Sequence, residues 1–339
     1  QNFLALMGVG FLAVGAVLLD AFLARWLGCA LAGYSAVAND SIQTIGTFIA
    51  SNRGKPWWLL WLFIGGIFSA TVIYSWSVYD GDVTYQRLAS KGFETTPESF
   101  GFLQVAAPLF LMILTRLRMP VSTTFLLLSS FTTSTKGVTS VLAKSLSGYV
   151  VAFVCAIVVW TLVSGVLSRF QRQGPPHPWW TVAQWVTSGA LWSVWIQQDA
   201  ANIAVYLPRQ LDVAELAVFV GVVVVGLGVL FKIGGDRIQQ VVDEKSSVQD
   251  LRSATVINFV YAVILYIFKI QSKVPMSTTW VFIGLLGGRE LAMAFRGASG
   301  GTVKEAAKLM GRDLLYTTIG LIVSLIIAAA VNPSALGLE

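Results

Sequence analysis

Charged, thiol and imidazole side chains are scarce in this 339-residue chain. Only 12% of its residues are charged, whereas 55% are hydrophobic, and the mean hydropathy is +0.72. Its two cysteines, Cys29 and Cys155, each lie alone in apolar sequence, which excludes a disulfide framework and a Cys-x-x-Cys metal or redox pair. Its one histidine, His177, lies in the proline-rich stretch GPPHPWW, which is typical of a loop at a membrane interface. No zinc or haem site is visible.

The sequence contains long runs without charged residues. Residues 56–79 and 145–168 contain no charged side chain, and each run is long enough to cross a hydrocarbon core of roughly 30 Å as a helix. We therefore predict an all-α, multi-pass protein of the cell membrane, surrounded by the lipid bilayer, with about ten to twelve membrane segments, some of them incomplete. Further segments are expected at about 3–24, 27–50, 99–115, 178–206, 213–233, 252–271, 275–295 and 313–331.

The net charge of +6 lies mostly in short loops such as 53–55 and 304–312. Basic residues in such loops face the anionic headgroups of lipids. We expect no nucleic-acid partner.

A motif of an amide, an aspartate and a second amide occurs twice. Asn39-Asp40-x-x-Gln43 matches Gln198-Asp199-x-x-Asn202. The aspartate and the amide three residues later share one face of a helix. An ionisable side chain within the membrane is costly unless it faces a cavity or a partner. One such aspartate would be explained by a nearby backbone or serine group, but two matched copies favour a functional site.

A second motif, PVSTTF at 120–125 and PMSTTW at 275–280, follows the first motif in the same order. Proline breaks a preceding helix, and Ser-Thr-Thr suits the start of a new one. A helix that starts at membrane depth presents free N–H groups and the positive end of its dipole, for which an anion is the natural partner. Simple helix capping would explain a single copy equally well. The hydroxyl donors are Ser122, Thr123, Thr124, Ser277, Thr278 and Thr279.

The spacing of the two motifs predicts an internal repeat. Asp40 and Asp199 are 159 residues apart, and Pro120 and Pro275 are 155 apart. Many transporters consist of two related halves that meet at the substrate site. We therefore expect one half at 1–172 and the other at 173–339.

Together, the motifs resemble the signatures of the inorganic phosphate transporter family, Gly-Ala-Asn-Asp-x-x-Asn and Pro-x-Ser-Thr-Thr, and the resemblance covers most of the chain. It implies inverted repeats with broken or re-entrant helices, and symport of phosphate with sodium or, in some members, protons. The chain departs from the family pattern at Gln43, where asparagine is usual, and at Phe125 and Trp280, where histidine is expected. These departures leave open which cation is coupled.

The resemblance also implies which residues bind each ion. Phosphate would contact the two aspartates, their amide partners and the two Ser-Thr-Thr triplets, which are Asp40, Gln43, Ser122, Thr123, Thr124, Asp199, Asn202, Ser277, Thr278 and Thr279. Sodium would be held by Asn39, Asp40, Gln198 and Asp199. No organic cofactor is implied.

Neither motif contains lysine or arginine, so the two aspartates would repel a bound anion. At about 4 Å and an effective dielectric constant near 20, that repulsion is about 4 kcal/mol. A sodium ion or a proton on each aspartate removes it, so anion and cation should bind together. A carboxylate that accepts hydrogen bonds also suits a ligand that carries hydrogens, which favours phosphate over sulfate.

Several alternatives stay open. The chain could carry sulfate or another oxyanion, or act as a passive anion channel or a phosphate sensor. Both a monomer and a homodimer are compatible with the sequence. An intramembrane aspartyl protease would also need two membrane aspartates, but it would not need duplicated Ser-Thr-Thr helix starts. We therefore expect a protein that is not an enzyme.

Overall fold

The computed structural model describes residues 2–90, 93–131, 135–172, 174–235, 239–243, 250–271, 277–297 and 302–331. The side chains at 40–42, 129, 135–142, 144–145, 166–172, 240–241 and 269 lie outside this description. The described ranges are helical and contain no strand, so the predicted all-α class is confirmed.

Within the described ranges, ten helices have 15 residues or more and four are shorter. In chain order the helices are α1 (Asn2–Val17), α2 (Ala21–Thr44), α3 (Gly46–Ser51), α4 (Trp57–Val78), α5 (Arg87–Ser90), α6 (Phe102–Arg116), α7 (Thr123–Leu126), α8 (Thr135–Arg172), α9 (Trp179–Ala204), α10 (Val213–Lys232), α11 (Gln239–Asp243), α12 (Leu251–Leu265), α13 (Thr278–Phe295) and α14 (Val303–Val331). A 3₁₀ turn at Leu128–Phe131 follows α7, and a π-helical turn at Tyr266–Gln271 follows α12.

Six of these helices contain a segment long and apolar enough to cross a membrane, so the chain is a polytopic membrane protein. The segments are Ala21–Asn39, Trp57–Val78, Leu146–Gly165, Val213–Lys232, Leu251–Phe268 and Val303–Val331. The predicted segment 27–50 is wrong in its bounds, because the helix begins at Ala21 and is interrupted at Ile45 between α2 and α3. That interruption directly follows the first aspartate motif.

Both Ser-Thr-Thr triplets begin a helix, as predicted. Ser122 is the N-cap of α7, and its hydroxyl accepts a hydrogen bond from the Phe125 N–H at 3.4 Å. Ser277 is the N-cap of α13. The two helices differ in length, since α7 has 4 residues and α13 has 18. Pro275 lies outside the described residues.

The buried apolar residues form two clusters. The larger cluster joins α1, α2, α4, α6 and α10 with much of α9, and the smaller one joins α8, α12 and α13 with part of α9. Helix α9 contributes to both clusters, and its last two turns carry the second aspartate motif. The junction of the two clusters is therefore where the motifs meet.

Glycines on α13 allow it to lie directly against α8. A Cβ atom added to Gly284 would lie well inside 3.0 Å of the Tyr149 carbonyl oxygen, and one added to Gly288 would do the same at Phe153. Small residues at such an interface let two membrane helices approach closely, and their packing contacts stabilise the pair.

We predict that Gly288→Ala destabilises the protein by about 1–3 kcal/mol, because the new methyl group forces α8 and α13 apart. The measurement is unfolding in mixed detergent micelles followed by circular dichroism. Gly311→Ala is the matched control, since Gly311 is also helical but has open space at the same position. Equal stability of the two variants would contradict the close contact.

Candidate functional site

Four helix ends converge at the junction of the two clusters. The first aspartate motif occupies the last turns of α2, and the second occupies the last two turns of α9. Helices α7 and α13 begin beside them, at the two Ser-Thr-Thr triplets. The carbonyl ends of two helices thus face the N–H ends of two others.

Asn39 and Gln43 connect the first aspartate motif to both triplets. The Asn39 Nδ2 donates to the Val121 carbonyl oxygen at 2.6 Å. The Gln43 Nε2 donates to the Thr279 Oγ1 at 2.9 Å, and that hydroxyl donates in turn to the same Val121 carbonyl at 3.1 Å. Val121 immediately precedes Ser122, so these bonds bring the start of α13 next to the start of α7.

Asn202 connects the second aspartate motif to the first triplet. Its Nδ2 lies 3.0 Å from the Thr123 Oγ1, 3.3 Å from the Thr124 Oγ1 and 3.0 Å from the Asp199 Oδ1. The Thr124 hydroxyl lies 3.4 Å from the same Asp199 oxygen. Asp199 is only 2% exposed. An amide and a hydroxyl group inside the protein therefore hold its carboxylate in place of water.

The amide contacts are crossed between the two predicted halves. Gln43 of the first half bonds to Thr279 of the second, and Asn202 of the second half bonds to Thr123 of the first. The contact equivalent to Gln43–Thr279 is that of Asn202 with Thr124, the last residue of its triplet, at 3.3 Å, and Asn202 also bonds to Thr123. This is the arrangement expected where two repeats share one site.

The site is almost entirely closed to solvent. Thr124 is partly exposed, while the other described side chains of the predicted set are buried, namely Asn39, Gln43, Ser122, Thr123, Gln198, Asp199, Asn202, Ser277, Thr278 and Thr279. Gln198 differs from its counterpart Asn39, since neither of its amide atoms has a hydrogen-bond partner among the described residues. A buried amide without partners is unfavourable unless a ligand supplies them.

Asp40 is the one predicted site residue whose side chain lies outside the described part of the structure. Its backbone belongs to α2, one turn before Gln43. The contacts predicted for its carboxylate therefore stay predictions.

The electrostatics of the helix ends suit two ions of opposite charge. The N-terminus of α13 carries partial positive charge beside three buried hydroxyl groups, which suits an anion. The C-terminal ends of α2 and α9 carry partial negative charge beside carboxylate and amide oxygens, which suits a hard cation. Among the described residues, no group of three or more His, Cys, Asp or Glu side chains could hold a transition metal.

Sequence reasoning missed Arg87. The stretch 80–98 looks like a solvated loop, yet Val83, Thr84 and Leu88 are buried and α5 packs against α9. The charge of Asp199 acts on the Arg87 guanidinium, although burial lowers the pKa of Arg87 overall. Nothing in the spacing of the sequence marks this arginine.

Comparison with known proteins identifies a protein of the same fold. No family model and no curated protein matches the chain. A solved structure, "The sodium-dependent phosphate transporter", is similar with a TM-score of 0.61, covering 93% of this chain and 98% of the other at 16% identity. The chain has the fold of that transporter. The all-α polytopic fold implied by the sequence resemblance is therefore confirmed over nearly the whole length of the chain, and the division into halves at 1–172 and 173–339 stays a prediction.

We predict that Thr279→Val destabilises the protein by about 1–2 kcal/mol more than a surface-helix control, because it removes a hydroxyl that accepts from Gln43 and donates to Val121. Thr318→Val is the matched control, since the Thr318 hydroxyl bonds only within α14, to the Leu314 carbonyl. Unfolding in mixed micelles measures both. A Thr279→Val variant as stable as Thr318→Val would show that the crossed contact does not hold the halves together.

Proposed function

We propose that the chain is a secondary active transporter that moves inorganic phosphate across a membrane by symport with sodium. The single observation that carries the proposal is the crossed pairing, in which Gln43 contacts Thr279 and Asn202 contacts Thr123. The fold shared with a protein named as a sodium-dependent phosphate transporter supports it.

Phosphate would bind at the two helix starts. The Thr279 hydroxyl donates to the carbonyl of Val121, which is two residues before Thr123, so the two triplets lie close enough for their hydroxyl groups to reach one tetrahedral anion. Backbone N–H groups at the start of α13 add further donors. Hydroxyl and N–H donors keep a fixed direction, which favours an anion over water at this place.

The coupling ion would bind at the opposing helix ends. Asp199 supplies a carboxylate, and Gln198 supplies an amide oxygen that has no partner among the described residues. We place Asn39 and Asp40 in the same role in the first half. Carboxylate and amide oxygens are the donors that a hard cation such as sodium prefers.

Charge balance then couples the two ions. A carboxylate about 4 Å from a phosphate oxygen repels it by about 4 kcal/mol at an effective dielectric constant near 20. Sodium at Asp199 removes this repulsion, and phosphate in turn strengthens sodium binding by the same factor. The halves 1–172 and 173–339 would then rock around the shared site to release both ions on the other side.

We predict that the phosphate dissociation constant falls at least tenfold, about 1.4 kcal/mol, between sodium-free and sodium-saturated buffer. Isothermal titration calorimetry measures the affinity, and titrations across pH in sodium-free buffer test protons as the coupling ion. If affinity were indifferent to both sodium and pH, the symport mechanism would be wrong and a channel or sensor would replace it. Parallel titration with sulfate tests the choice of anion.

We also predict that Asp199→Asn and Asp40→Asn each abolish sodium-driven phosphate uptake into proteoliposomes while the protein stays folded. In each variant the neutral side chain removes both a sodium ligand and the repulsion, so phosphate binding should persist with a weakened response to sodium. Glu98→Gln is the control, since Glu98 is an exposed acid of the 79–101 connection. Sodium-driven phosphate uptake at the wild-type rate in both aspartate variants would contradict the proposal.

A further inference from the structure

The connection from α4 to α6 is described at residues 79–90 and 93–101, and these residues lie against the end of α9 that carries the site. Val83, Thr84 and Leu88 of this connection are buried, and α5 packs against α9. The Leu211 N–H, beyond the end of α9, donates to the Gly81 carbonyl at 2.9 Å. Asp199 lies five residues before the end of α9, which is about 7.5 Å along the helix axis. The connection therefore lies beside the end of α9 that carries Asp199.

Hydrogen bonds on both sides of α5 fix this connection. The Asp82 carboxylate accepts from the Thr84 N–H and the Gln86 N–H, each at 2.6 Å. Further along, the Arg209 guanidinium donates to the Phe93 carbonyl at 2.7 Å and to the Thr95 carbonyl at 2.8 Å. A connection held in this way presents its side chains from a fixed backbone.

The backbone just before α5 adopts an unfavourable conformation. Tyr85 has φ of +55° and Gln86 has φ of +59°, and neither residue is glycine. Residues in this region are uncommon and persist where the surrounding structure requires them, often at functional sites. The residue that follows this strained pair is Arg87.

Arg87 carries a charge that the connection itself does not neutralise. Its Nε is buried without a hydrogen-bond partner among the described residues, and no described acid lies within ion-pair distance of its guanidinium. Burial lowers the pKa of Arg87, whereas the negative charge of Asp199 favours its protonated guanidinium. The Asp199 Oδ1 atom accepts a hydrogen bond from Asn202 and lies 3.4 Å from the Thr124 hydroxyl. The guanidinium therefore lies on an element packed against α9, the helix that carries Asp199, and at least its Nε is not bonded to a described residue.

We propose that Arg87 forms an outer binding subsite for the tetrahedral oxyanion, between the aqueous side of the 79–101 connection and the Ser-Thr-Thr triplets. A guanidinium presents parallel N–H donors that match two oxygens of a phosphate group. Its positive charge attracts the anion and offsets part of the repulsion from Asp199 before the coupling cation binds. This inference rests on the proposed function, because it assumes that the inner site binds an oxyanion.

The test compares phosphate binding by wild type, Arg87→Gln, Arg87→Lys and Arg53→Gln in sodium-saturated buffer. Arg53 is the matched control, since it is an exposed arginine at the far end of α4, about 33 Å away along that helix. We expect Arg87→Gln to weaken binding about tenfold and to slow phosphate association, with a smaller dependence of the rate on ionic strength. Arg87→Lys keeps the charge and should lose about threefold or less, and Arg53→Gln should match wild type.

The outcomes separate this inference from the proposed function. If wild type bound no phosphate, the proposed function itself would fail. If wild type bound phosphate and both Arg87 variants bound it with wild-type affinity and association rate, the outer subsite would be refuted while the proposed function stood. Lower thermal stability of an Arg87 variant with unchanged affinity would assign Arg87 a structural role and would also refute the subsite.

A measurement on the wild-type protein covers the case in which the variants do not fold. Phenylglyoxal modifies accessible arginines, and mass spectrometry locates the modified residues. We expect saturating phosphate to protect Arg87 and to leave the modification of Arg53 unchanged. Equal modification of Arg87 with and without phosphate would overturn the proposal.

Discussion

A helix that starts or ends in the protein interior leaves backbone groups that other parts of the protein must satisfy, and this constraint organises the described site. The break at Pro120 frees the Val121 carbonyl, which accepts hydrogen bonds from Asn39 and from Thr279. One backbone oxygen thus joins the end of α2, the start of α7 and the start of α13. Asn39 and Thr279, which donate hydrogen bonds to this free carbonyl, are also residues that the proposed function assigns to ion binding.

The proposed coupling of the two ions depends on the negative charge of Asp199 beside the anion site. Burying Asp199 next to hydroxyl donors is unfavourable for an anion site in isolation, because the carboxylate and the anion repel each other. In the proposed mechanism, a cation at Asp199 removes this repulsion, so each ion makes the other one bind more tightly. In the proposed outer subsite, the positive charge of Arg87 would attract the anion before the anion reaches the two aspartates.

The sequence predicts much of the fold because its signals are duplicated and local. Apolar runs identify spanning helices such as α4 and α10, and Ser-Thr-Thr after proline identifies the starts of α7 and α13. The crossed contact of Gln43 with Thr279 could not be read from the sequence, because it joins residues 236 positions apart. The different lengths of α7 and α13 also depend on tertiary packing. Arg87 was missed because its position next to α9 depends on how the 79–101 connection folds, and no repeated motif marks it.

The central claim is that the two Ser-Thr-Thr triplets bind one anion together. The most direct measurement is a cryo-electron microscopy structure of the protein in lipid nanodiscs with saturating sodium and phosphate. The account predicts tetrahedral density within about 3 Å of hydroxyl oxygens from both 122–124 and 277–279. Density that contacts only one triplet, or that lies elsewhere in the protein, would contradict it.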